Sequence, residues 1–281
     1  MQTSYQNALD AIQAAYDLFD AEGISMEVVV VYDQGEADAN TPATTYRDYI
    51  TGWHSDLETR VGAITGQGTV KLFLSQTIWT RGSQDEPCYS AYGQQLAAAA
   101  DADIHLLPPS YFTDPDTDVV HHKATEHQWR GALYGEVMAD VMMGRGDPGL
   151  IMSTATYTGD EITVTFNNAI TIDHRTIIDL GDELGLSHQN SAGATRSINY
   201  SVKSGANELT IKLSADVPAS ASEVVRVASK YTTDANPSGI FGYAKGLRSP
   251  IRRPDWERYS MIDGRPLFIF ANIQEIPASE V

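Results

Sequence analysis

The sequence predicts an α/β layer built on a parallel sheet, followed by an antiparallel β-sandwich. Three observations carry this. Up to residue 143, helical periodicities alternate with continuous apolar runs. Beyond residue 149, apolar residues recur at every second position instead. Between the two regimes lies Gly144-Arg145-Gly146-Asp147-Pro148-Gly149, a run of turn formers. The expected domains are therefore 1–146 and 150–281.

Each element follows from its own pattern. In residues 5–19, Leu9, Ile12, Tyr16 and Phe19 recur at helical spacing, and Gly23 supplies a stop. Residues 26–32 form an unbroken apolar and β-branched run, the signature of a strand covered on both faces. A second helix is expected over 46–62, a second buried strand over 70–75, a third helix over 90–100 and a short strand over 103–107. A long helix over 125–143 completes the alternation. Such a sheet binds ligands at the carboxyl ends of its strands. In the second half, Ile162, Val164 and Phe166 alternate within 161–166, while 197–203 and 208–214 flank Ser204-Gly205-Ala206-Asn207 as a hairpin. Strands over 224–228 and 267–271 complete the expected sandwich.

Composition restricts the function. The chain has 281 residues, 42% of them hydrophobic, and a formal net charge of −18. That charge repels nucleic acid and the anionic face of a membrane, and favours a neutral substrate. Cys88 is the single cysteine, so neither an internal disulfide framework nor a multi-cysteine metal site is available. No apolar run approaches the length of a membrane span, and Met1-Gln2-Thr3-Ser4 lacks the basic start of a secretory signal.

Two short segments carry chemistry. Gln34-Gly35-Glu36-Ala37-Asp38 follows the first expected strand, and Asp118-Val119-Val120-His121 precedes the last expected helix. Ester hydrolysis by a serine needs a nucleophile, a base, a carboxylate to orient the base, and donors for the oxyanion. His121 and Asp118 suit the base and its carboxylate, Gln34 suits the donor, and Glu36 would brace the loop. Asp-x-x-His also occurs by chance, and Gln-Gly-Glu can be an ordinary turn before a helix. A metal site on Asp118, His121, His122 and His127 is disfavoured, because His121 and His122 point apart and no second carboxylate stands at ligand spacing. His54, His105, His174 and His188 read as surface or packing residues.

On these residues, 5–143 resemble the later part of an SGNH (GDSL-like) hydrolase domain, in its sialate O-acetylesterase and carbohydrate-esterase branch. Gln34, Gly35, Glu36 and Asp38 match one family block; Asp118 and His121, with Gly131 ten positions on, match another. The resemblance implies a partial SGNH-type three-layer α/β/α sheet, with His121 as base, Asp118 as its partner and Gln34 in the oxyanion hole, supported by Gly35 and Glu36. It implies no cofactor and no metal, and an O-acetylated carbohydrate or polysaccharide as substrate. The family's Gly-x-Ser nucleophile block has no counterpart: Gly82-Ser83, Ser187 and Ser191 fall out of family order. In a sheet ordered 2-1-3-4-5, the chain would begin just before strand 3. The expectation is an amino-terminal part of the same protein that supplies the serine, and little activity from this chain alone.

The second half more faintly resembles the accessory sandwich of bacterial sialate esterases and of phage tail deacetylases, around Val225-Arg226-Val227-Ala228, Asn236-Pro237-Ser238-Gly239 and Gly246-Leu247-Arg248-Ser249-Pro250-Ile251-Arg252. Arg248 and Arg252 would contact substrate there; the favoured reading is that, with Arg253, they form a solvated basic cluster on an acidic protein. A virion tail or a secreted or periplasmic setting fits these relatives, but the compartment is not written in the sequence. Two rivals stand beside the esterase: a glycan-binding module that kept the fold without the chemistry, and a structural piece of a homo-oligomeric virion spike.

Overall fold

The structure is a computed structural model that describes residues 2–77, 88–109, 123–173, 184, 186–190, 197–217, 223–227, 231–232, 246–247, 250–262 and 264–280. The first half runs α1 (Gln2–Ala21), β1 (Val29–Asp33), a 3-10 turn (Glu36–Asp38), α2 (Ala43–Thr65), β2 (Lys71–Ser75), α3 (Tyr89–Ala100), β3 (Ile104–Leu107) and α4 (Ala124–Met142). The strands form a parallel sheet in the order β1-β2-β3. Asp33 pairs with Ser75, and Ser75 with Leu107, so the three strands end level at their carboxyl edge.

Alternation along the strands builds the layers. Leu72 and Leu74 pack with Tyr46 and Ile50 of α2 and Ala97 of α3. Phe73, between them, faces the other way and joins Leu107 with Trp129 and Leu133 of α4. On α2, Tyr46, Ile50, His54, Leu57 and Val61 make the buried stripe, and Gly66 ends the helix in the left-handed conformation, its N–H on the Gly62 carbonyl. A Cβ on Gly93 would come within 2.8 Å of the Ala43 carbonyl and of Tyr46, which is how closely α3 lies on α2. α1 adds Leu9 against Leu57, Val61 and Val70.

One expectation needs correction. The first strand starts at Val29 rather than residue 26, and it is not covered on both faces: Val31 is 47% exposed. Val30 and Tyr32 pack toward α2, whereas on the opposite face of this edge strand Val29 is half-buried against the cluster that includes Trp129 and Leu133, and Val31 is open to solvent. By contrast, Leu72, Phe73 and Leu74 of β2 are fully buried, as their unbroken run implies.

The second half contains β4 (Met152–Thr158), β5 (Glu161–Phe166), β6 (Thr171–Ile172), β7 (Ser187–Asn190), β8 (Ile198–Lys203), β9 (Glu208–Leu213), β10 (Glu223–Val227), β11 (Tyr231–Thr232), β12 (Gly246–Leu247), β13 (Ile251–Tyr259), β14 (Pro266–Phe270) and β15 (Gln274–Glu280). One sheet runs β7-β10-β15-β4-β5-β9-β8, another β14-β13-β6, and β11 pairs with β12. All of these pairings are antiparallel except β15 with β4. The hairpin over β8 and β9 forms as the spacing predicts, and Ile162, Val164 and Phe166 face inward with Leu209, Ile211 and Leu213. The fold class is thus the expected one: an α/β layer on a parallel sheet followed by mostly antiparallel β-sheets.

The halves share one core and a polar seam. Phe73, Trp129 and Leu133 belong to the same buried cluster as Leu150, Ile162 and Phe270. Gln76, just past the end of β2, donates to the Ile273 carbonyl at 2.8 Å and accepts from the Ile273 N–H at 2.7 Å, mimicking a strand partner. Trp129 Nε1 donates to the Pro266 carbonyl, and Trp256 Nε1 to Asp140 Oδ2, so indoles from both halves clasp α4.

Candidate functional site

At the level carboxyl edge of the sheet, the chain leaves β1 through Gln34 and Gly35. Gly35 has φ +151° and is buried; a Cβ there would stand 3.2 Å from the Thr77 side chain and 3.3 Å from the Tyr46 hydroxyl. Only glycine combines that backbone angle with that space. The turn is further held by Ser90 Oγ, which donates to the Gly35 carbonyl at 2.9 Å, and by Gln94 Nε2, which donates to the Gln34 and Ser75 carbonyls.

The Gln34 amide is fixed in orientation. Its Nε2 donates to Asp38 Oδ2 at 2.5 Å, while Oε1 accepts from the Tyr32 and Tyr46 hydroxyls at 2.9 and 2.7 Å. A carboxylate beside Nε2 accepts only, which settles which end of the amide is which. One amide N–H is therefore committed, and the other has no acceptor among the described residues. Burial, with Tyr32, Asp38 and Glu36 adding to it, raises the Tyr46 phenol above its ordinary range; burial also raises that of Tyr32. Both phenols thus stay protonated and remain donors to Gln34.

Beside this turn lies a buried charged knot that sequence reasoning missed. Arg130 Nη2 of α4 donates to Asp33 Oδ1 and to Ser75 Oγ, both at 2.8 Å, and Ser75 Oγ lies 2.9 Å from the Tyr134 hydroxyl. Asp33 and Ser75 are the last residues of β1 and β2. Burial opposes the charge on Arg130, but Tyr134 and Asp33 outweigh it and hold the guanidinium above even its usual range. The available signal was the coincidence of polar strand-final residues with an Arg and a Tyr four apart on the last helix. It reads as ordinary helix surface until the helix is laid on the sheet.

The remaining predicted residues divide. Gln34, Gly35 and Glu36 sit together at the carboxyl edge. Asp118 and His121 lie in 110–122, outside the described residues, as do His122, His174 and Arg248. The chain carrying Asp118 and His121 leaves from the carboxyl end of β3 and rejoins at α4. Arg252 is described, and its guanidinium is committed: Nε donates to Asp173 Oδ2 at 2.7 Å, and the group lies 4.4 Å from the Phe268 ring centre. His54 is a packing residue, with Nε2 2.6 Å from the Val70 carbonyl. His105 stacks on Phe73 and meets Asp147; His188 is buried against Glu223. Burial pushes the Cys88 thiol up to about 11, which leaves it unreactive at neutral pH. Among the described residues, no group of three or more His, Cys, Asp or Glu could hold a metal ion.

No protein-family model matches this chain, and no curated protein sequence does. Among solved structures, it is similar to a carbohydrate acetylesterase from Xanthomonas citri, with a TM-score of 0.53 and 15% identity, over 81% of this chain and 50% of that one. The chain therefore spans about half the length of that structure. At this identity the likeness is one of fold. The N-terminal part of a bacterial S-layer protein overlaps at a TM-score of 0.27 and 9% identity, over 84% of this chain and 39% of that one.

Proposed function

We propose that the chain is the carboxyl-terminal portion of an SGNH-type esterase that removes O-acetyl groups from carbohydrate. The observation that carries this reading is the Gln34 turn: an amide fixed by three partners, with one N–H to offer, at the carboxyl edge of a sheet whose fold is shared with a carbohydrate acetylesterase. In the proposed reaction, a serine from the amino-terminal part of the protein attacks the acetyl carbonyl. His121 takes the serine proton and returns it to the departing sugar oxygen, while Asp118 holds the imidazole. Gln34 donates its uncommitted N–H to the oxyanion, and Tyr32, Tyr46 and Asp38 keep that donor from reorienting as charge develops. Water then repeats the sequence on the acetyl-enzyme. Arg130 acts at one remove, by holding the ends of β1 and β2 level beneath the turn.

The test is acetate release from an O-acetylated polysaccharide, compared between this chain and the polypeptide extended by its upstream coding sequence. Turnover in the extended form that is lost with His121→Ala supports the proposal. A fully folded extended form with no turnover on any acetylated glycan replaces it with a glycan-binding module.

A further inference from the structure

Beside the candidate site, a separate hollow opens where the two halves meet. It is lined by Asn40, Thr44 of the first turn of α2, Tyr89 and Tyr92 of the first turn of α3, and Glu275 of β15. Its volume of about 420 Å³ falls within the range of roughly 300–1,000 Å³ common for small-molecule sites. Tyr89 is 40% exposed, a large aromatic side chain open to solvent at the mouth. Tyr92 is 2% exposed, and its hydroxyl is buried with no hydrogen-bond partner among the described residues. A buried hydroxyl without a partner carries a desolvation cost. Such a cost is understandable where a ligand provides the partner.

We propose that this hollow binds a neutral sugar unit. The charges exclude the alternatives. Arg226 Nε donates to Glu275 Oε2 at 2.6 Å, so the carboxylate is already compensated and offers a cation little. Glu275 itself, on a chain of net charge −18, disfavours an anion. A wholly apolar ligand would leave the Tyr92 hydroxyl and the Glu275 carboxylate desolvated. A pyranose meets all three demands: its C–H face stacks on the Tyr89 ring, and its hydroxyls pair with Tyr92 and with the Glu275 oxygen that Arg226 leaves open. The hollow is tied to the Gln34 turn, because the Tyr89 N–H donates to the Ala39 carbonyl and Ser90 to that of Gly35. The site does not depend on the esterase reading, since it requires no chemistry.

Saturation-transfer NMR and calorimetry with four neutral probes, xylotetraose, cellotetraose, mannotetraose and chitotetraose, test it on the full chain. At least one probe binds; Tyr89→Ala weakens it by roughly three- to tenfold. Tyr92→Phe also weakens it, while leaving the melting temperature unchanged or raised, because it deletes an unpartnered buried hydroxyl. That opposition of binding and stability is what a merely structural tyrosine would not produce. Tyr259→Ala, at an exposed tyrosine on β13, leaves binding unchanged. The proposal is overturned if no probe binds, or if binding survives both Tyr89→Ala and Tyr92→Phe at full strength. Binding is read without acetate release, so a failure here and a failure of the esterase reading are distinguishable.

Discussion

The Gln34 turn and the Arg130 knot meet at the carboxyl edge of the sheet, and single residues there have unequal consequences. Arg130 is 7% exposed and Asp33 47% exposed in their side chains. Removing Asp33 leaves a buried cation without its counter-charge, whereas removing Arg130 leaves a carboxylate that water reaches. Asp33→Ala is therefore expected to cost about 2–3 kcal/mol in urea unfolding, and Arg130→Met roughly 1 kcal/mol less. The reverse order would mean that the knot is held by Ser75 and Tyr134 rather than by the ion pair. Gly35→Ala combines a disallowed φ with contact at 3.2 Å to Thr77, and should lower stability by on the order of 1–3 kcal/mol. At this scale the sequence was readable for Gln34 and Gly35, because a polar residue and a glycine after an apolar run mark a strand-final turn. Arg130, Ser75 and Tyr134 were not readable, since their meeting depends on where α4 crosses the sheet.

Among the elements, the helices and parallel strands of the first half lie close to where periodicity puts them, with ends shifted by a few residues. The second half was less legible. β13 contains Arg252, Arg253 and Pro254 and shifts register between Arg252 and Glu257, so no alternation survives in its sequence. β15 carries Pro277 yet pairs on both sides, with β10 and β4. α4 is held to β13 by Asp140, which accepts from Trp256 Nε1 at 3.1 Å and from Arg145 Nε at 2.6 Å. Burial pushes the Asp140 carboxyl up, but Trp256, Arg145 and Arg258 together hold it below the usual carboxylate range. A carboxyl depressed on folding stabilises the fold above its unfolded pKa of about 3.9, and that stabilisation is lost as pH falls through the folded value. Between about pH 6 and pH 3, the urea midpoint of the wild type should therefore fall further than that of Asp140→Asn. Equal losses would place the acid sensitivity elsewhere.

Across the whole molecule, the Gln76 seam joins the two halves, which sequence composition reads as separate domains at 1–146 and 150–281. Gln76 is 2% exposed, and its amide satisfies both backbone groups of Ile273. Gln76→Ala strands those groups, at a cost of about 2–4 kcal/mol, and is expected to lower Tm by roughly 5–10 °C in a single shared transition. Two resolved transitions in the wild type would show instead that the halves unfold independently. The seam was invisible in the sequence because its partners stand almost two hundred residues apart.

The most direct test of the esterase proposal is the rate of acetate release by the extended polypeptide and its His121→Ala and Gln34→Ala variants. The expected losses are about 10⁴-fold or more for His121→Ala, and on the order of 10²–10³-fold for Gln34→Ala, which removes one oxyanion donor from a site otherwise intact. Wild-type rates in the His121→Ala variant would contradict the proposed chemistry.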